Sequence, residues 1–299
     1  MKIGLALGSG ASRGWSHIGV IKALIAEGIE PNIVCGTSIG ALVGASYVSG
    51  HLNELEQWAS SLSTFKMAKF FEINRSFNGF INTDRLHAFL SKFVAPEKAV
   101  IETFDKQYAS VATDLETGRE IWLTEGPVLE AVWASISLPG LFPAIRHDNK
   151  WLVDGGLVNP VPVSVCRALG ADVVIAINLN GDIVGKHMQK KEESAKEPEK
   201  IANKLSSIVT EYADSLFSID RSEKQQKPSL FEAIASSVNI TQDRITKSRM
   251  AGDPPDIVLT PKLSHMGLLE FYRAEEAINE GMDCVQRMLP EIKYTLGIN

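Results

Sequence analysis

One pentapeptide constrains this chain more than any other stretch: Gly36-Thr37-Ser38-Ile39-Gly40. It follows a short β-prone run, Asn32-Ile33-Val34-Cys35, and opens a run of small residues that reads as a helix. A Gly-x-Ser-x-Gly between strand and helix takes the backbone through a sharp turn that thrusts the serine out of the sheet edge. The flanking glycines leave out the Cβ atoms that would clash there. The helix that follows aims its unpaired N–H groups and positive dipole end at nearby charge. Ser38 reads as a nucleophile. The plainer alternative is a helix-capping serine in a glycine-rich turn.

The flanking sequence extends this unit. Ile3-Gly4-Leu5-Ala6-Leu7 is a compact apolar run that ends in Gly8-Ser9-Gly10-Ala11-Ser12-Arg13-Gly14. Ile18, Ile21, Leu24 and Ile25 then recur at helical spacing, and Gly28 stops the pattern. The first 50 residues read strand, Gly-rich loop, helix, strand, turn, helix. That order predicts an α/β fold with a parallel sheet covered by helices.

Further along, Tyr108–Thr113 and Glu120–Thr124 read as a hairpin at a sheet edge, closed by Asp114–Gly118. Trp151-Leu152-Val153 reads as a strand ending at Asp154-Gly155-Gly156. Asp172–Ile177 reads as a buried parallel strand. Helical patterns cover 52–62, the stretch capped by Asn82-Thr83-Asp84, Val128–Ser135, and the stretch through Cys166 and Leu169. Two more cover Leu230–Met250 and about Leu269–Leu289, with Pro290 near the end of the last. Phe65, Phe70, Phe71, Phe77 and Phe80 read as core or cavity lining. A polar stretch followed by the apolar stripe Ile201–Phe217 reads as an insertion at about 182–228 within one domain spanning 1–299.

The formal net charge of −6 argues against a nucleic-acid partner, whose footprint would be basic. Cys35, Cys166 and Cys284 are odd in number and form no Cys-x-x-Cys pair, which points to a reducing compartment and no metal site. No apolar run approaches the roughly 20 residues of a spanning helix, and the amino terminus lacks a signal-peptide pattern. A cytoplasmic protein is expected, with peripheral membrane contact and homo-oligomerisation left open.

A serine nucleophile needs a base and an oxyanion hole. Of the six histidines, His265 is the only one whose position suits a serine–acid–histidine order, and it sits in a loop after Pro261. Asp154 is the better base. It ends an apolar strand before two glycines, and ligands gather at the carboxyl ends of parallel strands. Its alternative is an ordinary Asp-Gly turn. The Gly8–Gly14 loop lies between a strand and a helix, where successive N–H groups converge on an anion. Arg13 can brace that loop through backbone carbonyls. His17 reads as a structural neighbour of the loop, and Asp114 as a turn residue.

Taken together, Gly8-x-Gly10-x-x-Arg13-Gly14, Gly36-x-Ser38-x-Gly40 and Asp154-Gly155-Gly156 resemble the oxyanion loop, nucleophile elbow and catalytic aspartate of patatin-like phospholipases. Val111–Asp114 and Ala134–Pro143 resemble segments that line that site. Within the family, Arg249-Met250-Ala251-Gly252-Asp253-Pro254-Pro255-Asp256 is similar to bacterial RssA-type members of the neuropathy-target-esterase group. The resemblance implies a three-layer α/β/α fold with a mostly parallel central sheet. It implies a hydrolase of carboxylic esters acting on a lipid or ester substrate through a Ser38–Asp154 dyad, with no cofactor. N–H groups of the Gly8-Ser9-Gly10-Ala11 stretch would hold the oxyanion. This chain departs from the pattern at two positions: Ser9 stands where many members carry glycine, and Asp-Gly-Gly replaces Asp-Gly-Ala.

Two other functions compete. A dinucleotide fold would want an acidic residue at the end of the second strand, where this chain has Cys35-Gly36, and the loop lacks the Gly-Lys-Ser/Thr of a P-loop. A regulatory or scaffold protein could keep the fold without catalysis. The intact Ser38 and Asp154 speak against it.

Overall fold

The computed structural model describes residues 1–70, 83–182 and 230–298. Strand β1 (Ile3–Leu7) leads through the Gly-rich loop to α1 (Ser16–Ala26). Strand β2 (Ile33–Thr37) leads through the Ser38 turn to α2 (Ile39–Val48). Helices α3 (Leu52–Ser60), α4 (Thr64–Phe70) and α5 (Thr83–Phe93) follow. Then come β3 (Gln107–Asp114), β4 (Glu120–Leu123), α6 (Val128–Ile136), β5 (Ile145–His147), β6 (Lys150–Asp154), α7 (Val163–Ala168) and β7 (Val173–Ile177). The chain closes with α8 (Leu230–Gly252), β8 (Ile257–Leu259) and α9 (Ala274–Leu296).

The sheet runs β5-β6-β3-β2-β1-β7-β8, with β4 added to β3. The five strands from β3 to β8 in that order are parallel. Alternation along them builds two cores. Leu5, Leu7 and Val34 point to one face, where Ile18, Val43, Val132 and Val285 of α1, α2, α6 and α9 cover them. Ala6, Ile33, Cys35 and Val174 point to the other, where Val163 and Cys166 of α7 lie, with Met250 of α8 against them. The expected α/β/α layering holds.

Strand β3 explains how distant residues meet. Its residues 107–111 pair with β2, and 112–114 pair with β6. β4 pairs with 110–113, so it takes the opposite edge from both. β2 and β6 therefore share one edge and run toward each other. β2 ends at Thr37 opposite Val111, and β6 ends at Asp154 opposite Ala112.

Three expectations are corrected. β6 is antiparallel to β3, so the parallel-sheet rule does not bring Asp154 to the site; the head-on approach of β2 and β6 does. The last helix runs through Pro290 to Leu296, because Ile292 and Leu296 beyond the proline are buried and their burial offsets the lost backbone bond. Phe65 is not core but 73% exposed. The short β5 had no alternation long enough to mark it. The expected insertion, its apolar stripe, and Phe71, Phe77, Phe80 and Asn82 lie almost wholly outside the described residues.

Candidate active site

Ser38 stands between β2 and α2 with φ 56° and ψ −124°, a left-handed conformation that a side chain strains to adopt. The neighbouring glycines make it attainable. A Cβ on Gly36 would lie 2.4 Å from the Ala41 backbone nitrogen, and one on Gly40 would lie 2.1 Å from the Leu7 carbonyl oxygen. The turn is tied down from two sides. Ser38 N–H donates to Ser135 Oγ at 2.8 Å, and Ser135 Oγ–H donates to the Val111 carbonyl at 2.6 Å. Ser38 occupies the N-cap position of α2, yet its hydroxyl makes no cap bond. That hydroxyl instead donates to Asp154 Oδ2 at 2.6 Å. The side chain is half-buried.

Asp154 is held at every polar atom. Its N–H donates to the Ser137 carbonyl at 3.0 Å, and its carbonyl accepts from Thr113 Oγ1 at 2.8 Å. Oδ1 accepts from the Gly156 N–H at 2.7 Å, which leaves Oδ2 for Ser38. The expected Asp-Gly turn and the contact with Ser38 thus coexist in one carboxylate. Burial raises its pKa from the ordinary 3.8 to about 6, against the pull of the Ser38 and Gly156 hydrogen bonds. A carboxylate of that pKa, hydrogen-bonded to a strained and accessible hydroxyl, can take the hydroxyl proton near neutral pH.

The Gly8–Gly14 loop wraps the first turn of α2. A Cβ on Gly14 would strike Ile39, and Gly40 lies against Leu7 and Gly8. Two of the four expected N–H donors are already committed. Gly8 N–H donates to the Ile177 carbonyl at 3.1 Å, and Ser9 N–H to the Pro160 carbonyl at 2.8 Å. The N–H groups of Gly10 and Ala11 have no acceptor among the described residues. Arg13 keeps the loop in shape. Its guanidinium, fully buried, donates to the carbonyls of Gly10 (3.2 Å) and Leu179 (3.2 Å) and to Asn239 Oδ1 (3.1 Å). A trans peptide sets its C=O and N–H in opposite directions. Arg13's hold on Gly10 O therefore aims the Ala11 N–H away from the guanidinium. Burial lowers the Arg13 pKa to about 9, which keeps it cationic at neutral pH.

His17 touches the loop but not Asp154. Its Nε2 pairs with the Gly8 carbonyl at 2.8 Å, and burial pulls its pKa down to about 4, so it is a neutral donor. His265 binds Glu276 Oε1 at 2.6 Å on the surface, away from Ser38. Asp114 caps its own turn through Glu116 N–H and Thr117 Oγ1. The structure brings Ser38, Asp154 and the Gly10–Ala11 loop together. It places Ser135 and Thr113, from the two segments expected to line the site, against Ser38 and Asp154, and adds Asn180, Asn239 and Gln242, which no motif marks. Among the described residues no cluster of His, Cys, Asp or Glu could hold a metal ion, and no helix is long and apolar enough to cross a membrane.

Comparison with known proteins places the chain among relatives. Residues 5–167 match the model of a family described as patatin-like phospholipase. An NTE family protein of Mycobacterium bovis is 29% identical over 94% of this chain and 89% of its own length. Lysophospholipase NTE1 of Pyricularia oryzae is 28% identical over 93% of this chain, which spans 18% of that protein. Patatin-like phospholipase domain-containing protein 6 of Mus musculus is 33% identical over 59% of this chain and 13% of its own length.

Proposed function

The chain belongs to the patatin-like phospholipase family, and on that premise we propose that it is a serine lipid acyl hydrolase working through a Ser38–Asp154 dyad. The observation that carries this reading is the 2.6 Å hydrogen bond from Ser38 Oγ to a buried carboxylate. Ser38 Oγ attacks the ester carbonyl carbon while its proton passes to Asp154 Oδ2. The tetrahedral oxyanion is held by the N–H groups of Gly10 and Ala11, the two donors of the loop without an internal acceptor. Collapse of the intermediate expels the alcohol, which takes the proton from Asp154, and leaves the acyl group on Ser38. Water then gives a proton to Asp154 and attacks the acyl-serine, and the acid departs as Ser38 regains its proton. The loop Leu138–Phe142, whose Ser137 neighbour binds the Asp154 N–H, supplies apolar surface beside the acyl group.

The test is labelling with a fluorophosphonate probe together with hydrolysis of p-nitrophenyl esters and lysophospholipids. Wild type is expected to label on Ser38 and to turn over. Ser38→Ala is expected to lose both, and Asp154→Asn to lose at least about 10³-fold in kcat. Unchanged hydrolysis by Ser38→Ala would sink the reading.

A further inference from the structure

The Asp154 turn and the Gly8–Gly14 loop meet at a residue that belongs to neither. Gln242 lies on α8 and is 6% exposed. Its Oε1 accepts from Ser9 Oγ at 3.1 Å and from Asn180 Nδ2 at 3.0 Å. Its other end covers the aspartate turn. A Cβ added to Gly156 would stand 2.5 Å from Gln242 Nε2, 2.9 Å from Asp154 Oδ1 and 3.2 Å from Ser9 Cβ. The carboxamide therefore fills the space that an alanine methyl at 156 would need, and holds the loop through the Ser9 hydroxyl. Ser9, the Asp154–Gly156 turn and Gln242 thus meet at one point.

One helical turn earlier, Asn239 accepts from Arg13 Nη2 at 3.1 Å. Residues three apart lie on one helix face, so α8 grips the loop at Ser9 and at Arg13. Between those two grips stand Gly10 and Ala11, and Ala11 is strained at φ 50°.

We propose that Gln242 is a positioning residue: it sets the spacing between the oxyanion loop and the Asp154 turn, and with it the aim of the Gly10 and Ala11 donors. The proposal rests on the hydrolase reading above. Its physical basis is that a displacement of about 1 Å between reacting groups costs up to about 10²-fold in rate. Gln242 touches no reacting atom and acts through Ser9 and Gly156.

The variants separate positioning from packing. Gln242→Met keeps the volume and removes both accepted bonds. It is expected to lower kcat, and the rate of fluorophosphonate labelling, by about 10- to 100-fold with KM changed less than about twofold. Gly156→Ala alone sets a methyl against the carboxamide and is expected to lower kcat as well. Gly156→Ala/Gln242→Ala removes that conflict and is expected to lose less kcat than the Gly156→Ala and Gln242→Ala losses multiplied together. A purely structural role would lower the unfolding temperature without this split or this coupling. Should Gln242→Met fail to fold, Ser9→Ala removes the same bond from the loop side and must give the same loss of kcat. Wild-type kcat in Gln242→Met, or additive losses in the double variant, overturns the proposal while leaving the hydrolase reading intact. Wild-type protein that neither labels nor hydrolyses esters defeats that reading, and this proposal with it.

Discussion

Asp154 carries opposed demands on one side chain. Burial raises its pKa to about 6, so the folded protein binds the proton more tightly than the unfolded chain, where the ordinary value is 3.8. The stability this gives is complete below the unfolded pKa and is lost as pH rises through about 6. At neutral pH the charge is therefore a burden on the fold, and one that the proposed role as base requires. Asp154→Asn is expected to stabilise the protein at pH 7.5 by of the order of 1–3 kcal/mol, and by clearly less at pH 5, as urea unfolding at the two pH values would register. For the wild type, kcat/KM is expected to fall about tenfold between pH 7 and pH 5 as the carboxylate protonates. A flat profile across that range would remove Asp154 as the base. Ser38 and Asp154 were legible in the sequence because each sits between an apolar strand and glycines. Gln242 was not, since a lone glutamine inside a helix looks the same whether it faces water or a neighbouring turn.

At the scale of elements, the elbow is a contact between backbones. The first turn of α2 lies so close to β1 and its loop that a Cβ on Gly40 would sit 2.1 Å from Leu7 O and 2.9 Å from Gly8 O. Neither atom can yield without moving the strand that carries the Gly8–Gly14 loop. Gly40→Ala is expected to destabilise the fold by about 3 kcal/mol and to slow labelling of Ser38 even where the protein remains folded, a pairing that urea titration and probe kinetics would resolve. The strands themselves were legible from apolar runs and turn residues. The direction of β6 was not. It is decided by pairing with β3 some 40 residues earlier in the chain, as Ala112 opposite Asp154 shows, and by the three-residue β5 whose sequence carries no period. The committed N–H groups of Gly8 and Ser9 were hidden for the same reason. Their acceptors, Ile177 and Pro160, lie far along the chain.

Across the whole molecule, the site depends on chain well beyond the residues 5–167 that carry the family match. β7 supplies Ile177 O to the loop, α8 supplies Asn239 and Gln242, and α9 supports α1 from outside. The α1–α9 contact is made by reciprocal glycines. A Cβ on Gly19 would lie 1.9 Å from Ile278 O, and one on Gly281 would lie 2.1 Å from Ser16 O. Two helices that touch backbone to backbone cannot admit a methyl by a rotamer change; they must separate. Ser16 opens α1, and its hydroxyl donates to the Arg13 carbonyl at 2.8 Å, so separation at Gly281 moves the residue that aims the Ala11 N–H. Gly281→Ala is therefore expected to cost about 3 kcal/mol and also to lower kcat at temperatures well below unfolding, with KM held. Stability is read by urea unfolding, and the kinetic effect by ester turnover at 15 °C and 25 °C. If Gly281→Ala unfolds more easily yet keeps wild-type kcat, then α9 supports the fold alone and the loop is set locally, by Arg13 and α8.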